Sequence, residues 1–363
     1  GALWRPMTDR LTIYLSSLDR LKPAIPEVLQ HNVWQYLREA GTVRLLSETI
    51  EPPRRLEVSA QAGFWIKHFC VDDRDMSVLL TFRDGAGQSG VLYKYREGEG
   101  LERVSSEPVD AFCVNSVRGC VYAFRDQQLS RIRHRAPPYK VDHMWTLSPD
   151  WSPPDYMVSR GNHIVFGSSR WEAPMHSYGI TVLTLVGSVV RVSSLDLCGD
   201  AKESMKFRRM LVDAFVDSNG ELCILVCIGE TLLYRSLSSD TWMSMKMRGQ
   251  VRQMAMVQSS MIEDHFKERE ETAPPLLAIV RHSSHNHTSD SEVFYLARLE
   301  IVDLNRGEVV VSVAWLQTPW CPNLAYVEHT IYFQACGPAI DKVDACLVYD
   351  APFSKCKNMR KFS

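Results

Sequence analysis

No run in this sequence approaches the ~20 consecutive apolar residues that a membrane-spanning helix needs, and no leader pattern opens it. Membrane insertion is therefore not expected. Net charge is nearly absent too: −2 over 363 residues. No global field draws such a chain to nucleic acid or to an anionic surface. Two basic clusters, at 131–135 and 355–361, are short enough to read as a solvated face and an end tail. Nucleophile and metal spellings are also missing. The chain has no Gly-x-Ser-x-Gly, no His-Glu-x-x-His and no Cys-x-x-Cys. No cofactor and no resident metal are expected.

What is present is ordinary globular material. Apolar residues make up 45% and charged residues 23%, enough to build a substantial core. Ten cysteines occur. Several, such as Cys223 and Cys227, sit inside apolar strand-like runs, where a free thiol is a small apolar filler. This favours reduced cysteines and an intracellular protein, cytoplasmic or nuclear.

The first fifty residues read as helical. Leu11, Tyr14, Leu15, Leu18 and Leu21 recur at helical spacing after a Thr8-Asp9 cap. A second stripe runs from Val28 to Ala40, with Pro26 at its start and Gly41 at its stop. A short third segment is expected over 43–50. Pro52 and Pro53 then break the pattern, which sets a helical segment over 1–55 and a β domain over 56–363.

Beyond Leu56 helical periodicity fades. Short runs rich in Val, Ile, Leu, Phe and Tyr alternate with turn residues. One set of runs begins at residues 77, 120, 163, 222, 276 and 330, spaced about 43 to 59 residues apart. Each is followed by a second run: 91–95, 129–133, 180–186, 231–235, 293–302 and 346–349. The tetrapeptide Val-Asp-Ala-Phe stands ahead of two of them, at 109–112 and 212–215. Repeated Asp110 and Asp213 read as backbone-bonding residues at equivalent blade positions. Repeats of this length with several strands each imply a six-bladed β-propeller, since one sheet cannot bury both its faces alone. A pair of two-sheet sandwiches is the weaker reading. Two stretches, 243–275 and 281–292, are expected as insertions, the second as a polar loop carrying His282, His285 and His287.

The stretch Leu233-Tyr-Arg-Ser-Leu-Ser-Ser-Asp-Thr-Trp242 resembles the kelch pattern of a Tyr, a polar turn and a closing Trp, and 345–352 is a second echo. The resemblance covers two of the six units, and the paired glycines of that family are replaced by Val280-Arg281 and Phe333-Gln334. It implies a kelch-like propeller.

One motif argues for a different chemistry. Gly85-Ala-Gly-Gln-Ser-Gly90 is a full G-x-G-x-x-G. A dinucleotide site needs a helix after the last glycine, and Val91-Leu-Tyr-Lys-Tyr95 is β-branched and aromatic instead. A kinase loop needs a catalytic Asp and a metal-binding Asp downstream, and neither motif occurs. The glycines are read as a hairpin corner. The three histidines are too weakly constrained for zinc, and Cys223 and Cys227 read as core.

The expected function is a non-catalytic scaffold that presents propeller loops to a protein partner, as a subunit of a larger complex. Trp151, Trp171, Trp320, Phe266 and His285 are the candidate contact residues, with blade packing the competing role for the tryptophans. Two alternatives stand beside it: a substrate receptor of a ubiquitin ligase, and a propeller hydrolase with a carboxylate cluster in its central opening.

Overall fold

The computed structural model describes residues 42–45, 54–58, 65–83, 89–134, 139–154, 156–172, 175–187, 189–197, 210–217, 219–247, 249–257, 263–264, 275–289, 292–318, 323–334, 339–345 and 347–350. The described residues contain strands and no helix. The helical stripes expected before Gly41 lie outside them. Of the third segment expected over 43–50, residues 43–45 belong to strand β1 (Thr42–Leu45) and the rest lies outside the described residues. Thr and Val suit a pleated strand, and this one finds a strand partner far along the chain, so tertiary pairing overrides the local pattern.

Strand β2 (Arg54–Glu57) follows, and the blades then run in order. Blade 1 is β3 (Trp65–Val71), β4 (Val78–Arg83), β5 (Ser89–Arg96) and β6 (Gly100–Pro108). Blade 2 is β7 (Ala111–Asn115), β8 (Cys120–Arg125), β9 (Gln128–Arg133) and β10 (Lys140–Thr146). Blade 3 is β11 (Met157–Arg160), β12 (His163–Glu172), β13 (Met175–Val186) and β14 (Val189–Asp196). Blade 4 is β15 (Met210–Val216), β16 (Leu222–Ile228), β17 (Thr231–Ser236) and β18 (Met243–Lys246). Blade 5 takes β19 (Val251–Val257), then, after the two-residue β20 (Glu263–Asp264), β21 (Leu276–Ser289), β22 (Glu292–Asp303) and β23 (Glu308–Thr318). Blade 6 has three strands from the end of the chain, β24 (Leu324–Val327), β25 (Thr330–Gln334) and β26 (Ala339–Asp344), and takes β2 as its fourth.

The first strands touch in a closed circle: β3 to β7, β11, β15, β19, β24 and back to β3. They therefore surround the axis, and each fourth strand lies at the rim. Six apolar clusters fill the six spaces between neighbouring blades. Phe124 and Phe166, for example, meet edge-to-face at 5.1 Å between blades 2 and 3. A second strand is covered on both faces, which is why Leu222–Ile228 is apolar without alternation. The six regularly spaced runs of the sequence are all second strands.

Closure of the ring belongs to β2. Arg54, Arg55, Leu56 and Glu57 pair with Lys342, Asp341, Ile340 and Ala339. Arg55 reaches the Asp341 carboxylate at 3.0 Å. Glu97 of blade 1 takes both Arg54 and Lys342, the latter at 3.0 Å. The expected boundary at residue 56 falls inside this strand. β1 pairs with β27 (Leu347–Asp350), which also pairs in parallel with β20. The run at 346–349 is thus not the third strand of the last unit. That strand is Ala339–Asp344, whose Asp341, Lys342 and Asp344 hid it among polar residues.

Both expected insertions are redrawn. Met243–Lys246 and Val251–Val257 are blade strands, leaving 258–275 as the connection from β19 to β21. The polar stretch 281–292 is mostly paired strand, with Asn286, His287, Thr288 and Ser289 opposite Tyr295, Phe294, Val293 and Glu292. Main-chain pairing needs no apolar side chain, so composition concealed it.

The glycine motif is settled by the same pairing. β4 and β5 are antiparallel, with Arg83 opposite Ser89 across the corner. Gly90 lies within β5, beside a register shift, and a Cβ there would stand 2.3 Å from the Phe82 carbonyl oxygen. The last glycine thus permits close backbone approach. We expect Gly90→Ala to lower stability by roughly 2–3 kcal/mol, read as the drop in urea midpoint at unchanged slope. A loss under 0.5 kcal/mol would contradict this geometry.

Candidate functional site at the central opening

The inner strands enclose a cavity of about 700 Å³, to which all six blades contribute. It opens on the face that carries the turns between first and second strands, where Asp73, Val117, Gly161, Asp217 and Val327 stand. Met157, Phe215, Met256 and Leu324 supply the apolar part of a wall of mixed polarity.

Polar groups on the inner strands are spent on joining blades. Asn115 Nδ2 of blade 2 donates to Ser159 Oγ and to the Gly161 carbonyl of blade 3, each at 2.8 Å. Arg160 of blade 3 donates to the Asp213 carboxylate of blade 4 at 3.0 Å and to the Ala214 carbonyl at 2.9 Å. Asp213, 1% exposed, also accepts from the Met256 amide of blade 5 at 2.8 Å. Opposite, Asn323 of blade 6 meets His68 Nδ1 of blade 1 at 2.9 Å and donates to the Lys67 carbonyl at 3.0 Å. The His68 ring lies edge-on to Phe112, and its Nε2 is 3.2 Å from the Phe112 carbonyl of blade 2. A buried polar group without a partner is costly, so each contact fixes the angle between two blades.

Burial disfavours the thiolate form of the cysteines at the opening. Burial pushes Cys70 up to about 12, Cys223 up to about 11, and Cys113 well above the ordinary thiol value. Just outside the wall, Asp72 of blade 1 accepts from buried His134 of blade 2 at 2.9 Å. Burial raises the Asp72 carboxyl, but hydrogen bonds from His134, the Arg74 amide and Ser116 outweigh it and leave it below the usual value.

Of the residues singled out from sequence, Trp151, Trp171 and His285 fall among the described residues. Trp151 is half-buried against the core between blades 2 and 3, and a Cβ at Gly179 would stand 3.1 Å from its ring. Trp171 lies in β12, opposite His176. His285 lies in β21, at the irregularity between His282 and Asn286. Phe266 and Trp320 lie outside the described residues. Trp151 does not line the opening. Among the described residues no group of three His, Cys, Asp or Glu is placed to hold a metal ion, and no helix is long and apolar enough to cross a membrane.

The two Val-Asp-Ala-Phe copies are not equivalent. Asp213 is inside β15 and buried, opposite Leu225. Asp110 precedes β7, half-exposed, and accepts from the Asp126 amide at 3.2 Å. The residues sequence reasoning missed are Arg160, Asn115, His68 and Asn323. The available signal was a polar residue inside an apolar strand, as in Trp-Ile-Lys-His68-Phe-Cys-Val.

Six four-stranded sheets around an axis, an opening lined by their first strands, and a fourth strand returned from the other end of the chain define a six-bladed β-propeller. No protein-family model and no curated protein matches the sequence. Solved structures with some likeness are propellers. The β-propeller domain of Cps50 (Swd1) from Myceliophteria thermophila has a TM-score of 0.42 at 9% identity, over 81% of this chain and 100% of that one. YCF48 from Cyanidioschyzon merolae has 0.41 at 11%, over 79% and 98%. The WD40 propeller domain of Doa1 has 0.39 at 8%, over 83% and 96%. The architecture rests on the strand pairing, and likeness at this level carries nothing about function.

Proposed function

We propose that this protein is a non-catalytic interaction scaffold, a rigid ring whose turns hold a protein partner within a larger complex. One observation carries the reading. The deepest carboxylate of the opening, Asp213, is committed to Arg160 and to two backbone amides. Such a group holds blades together and is poorly placed to move a proton. The high thiol values of Cys70 and Cys113 point the same way. An intracellular setting, cytoplasmic or nuclear, is part of the proposal and rests on the cysteines acting as core filler. So is the kelch-like character: Arg235 lies 5.4 Å over the Trp242 ring, which packs on the core between blades 3 and 4.

Crosslinking mass spectrometry in native extract tests it. The expected result is a reproducible set of cross-links from the turn-bearing faces to one protein or a few. Self-links alone, with a hydrodynamic size matching the free chain, would remove the proposal.

A further inference from the structure

We propose that the rim strand of blade 3, β14, is the surface through which two copies of this chain pair edge to edge, antiparallel, about a two-fold axis. This interface lies away from the turn-bearing faces and does not rest on the scaffold reading. A comparison of the six rims supports it first. An exposed strand edge invites pairing, and proteins blunt it with charge, proline, bulges, brevity or a cover. β6 carries Glu102, Arg103 and Glu107, ends in Pro108 and shifts register against β5. β10 carries Lys140, Asp142 and His143 and shifts register beside His143. β18 and β2 are four residues long. β23 shifts register twice and has β1 against it. β14 is eight residues long, contains no proline and pairs with β13 without a shift. Its charges are Arg191 and the last residue, Asp196, and among the described residues no strand pairs with its outer side.

Side chains and backbone agree on that edge. Of the eight large apolar residues exposed among those described, three stand on this hairpin: Val186, Val189 and Val192. The two-residue loop at 187–188 makes Val186 and Val189 a hydrogen-bonded pair, so the amides and carbonyls of Val190, Val192 and Ser194 point outward. An antiparallel strand paired with its own copy sets one residue opposite itself. Centred on Val192, the pairing joins Val192 to Val192, Val189 to Leu195 and Arg191 to Ser193. Centred on Arg191 it would oppose two guanidinium groups, and centred on Ser193 it would set Val190 against Asp196. Charge selects a second copy as the occupant. At the mouth end of blades 2 and 3 stand Arg131, Arg133, Lys140 and Arg191 with one carboxylate, Asp142. At the far end stand Asp126, Asp150, Glu172 and Asp196 with Arg125 and Arg170. The two-fold axis reverses one ring against the other, so the basic end of each rim meets the acidic end of the other.

Sedimentation velocity of the full chain tests it. At about 100 µM the chain is expected to sediment as a dimer and to dissociate on dilution. Hydrogen exchange at that concentration should slow over 189–196 and leave 140–146, on the rim of blade 2, as in the dilute chain. Val192→Lys sets two ammonium groups face to face and should weaken the dimer about tenfold or more. Val141→Lys, at an exposed valine of β10, should dimerise as the parent does. Both variants must keep the parent's unfolding transition; if Val192→Lys does not, Val189→Lys carries the comparison. A monomer at about 100 µM, masses that grow beyond two copies, or slowed exchange that spares 189–196 overturns the proposal. So does a Val192→Lys dimer as tight as the parent's, or an equal loss in Val141→Lys.

Discussion

A chain lacking residues 1–57 is expected to lose its cooperative unfolding transition and to aggregate far below the concentration at which the whole chain does. The truncation removes β2, so blade 6 is left with three strands and the edge of Ala339–Asp344 is exposed. A four-residue antiparallel pairing carries on the order of four backbone hydrogen bonds, each contributing about 1 kcal/mol net. Leu56 is 6% exposed and sits on that ladder opposite Ile340; its burial contributes roughly 2 kcal/mol. The sum, about 6 kcal/mol, is comparable with the total stability of an ordinary domain. An open strand edge adds a route to self-association. Leu56→Asp should give a milder version of the same outcome, because it places a charge in a closed ladder while sparing the rest of the chain. Thermal unfolding followed by tryptophan fluorescence, with light scattering, reads both. A truncated chain that unfolds in one sharp transition within 1 kcal/mol of the parent would show that the ring does not depend on this strand.

The second large effect lies at the axis. Asp213→Ala should cost about 3–5 kcal/mol, the range for removing one partner of a buried ion pair. Three groups lose their acceptor at once: Arg160 at 3.0 Å and the amides of Met256 at 2.8 Å and Ala214 at 2.7 Å. They belong to blades 3, 5 and 4, so the loss loosens two blade junctions together. Asp213→Asn should fall between parent and Ala. It keeps one acceptor oxygen but turns an NH2 toward either the guanidinium or the Met256 amide. Asp73→Ala, at the mouth, should change stability by less than about 0.5 kcal/mol, the range for surface sites. Urea unfolding of the three variants gives the comparison, and equal losses for Asp213→Ala and Asp73→Ala would contradict the role assigned to Asp213.

These predictions mark how far the sequence could be read. Second strands were legible because a strand covered on both faces must be apolar throughout, as Leu222–Ile228 is. Their spacing then counted the blades. Strands toward the rim were not legible, because they carry charge. Arg54–Glu57 has three charged residues in four and Ala339–Asp344 three in six, and they are the two that close the ring. A repeated tetrapeptide misled for a related reason. Val-Asp-Ala-Phe places Asp213 inside a strand and Asp110 before one, since local spelling does not fix register where the hairpin loops differ in length. The opening was illegible as a site because each blade gives it only a few residues, dozens of positions apart. His68, Asn115 and Asp213 were visible only as polar letters in apolar strands.

The closure of the ring by β2 is tested most directly by a cysteine pair. Arg55 and Asp341 stand opposite each other in the register of β2 and β26, where facing Cβ atoms are about 4.5–5.5 Å apart, close to bridging range. With both replaced by Cys and the chain mildly oxidised, peptide mapping should find the 55–341 disulfide in most molecules and a raised unfolding temperature. A thiol at 55 that stays free in a folded chain, or that bridges to a position outside β26, would contradict it.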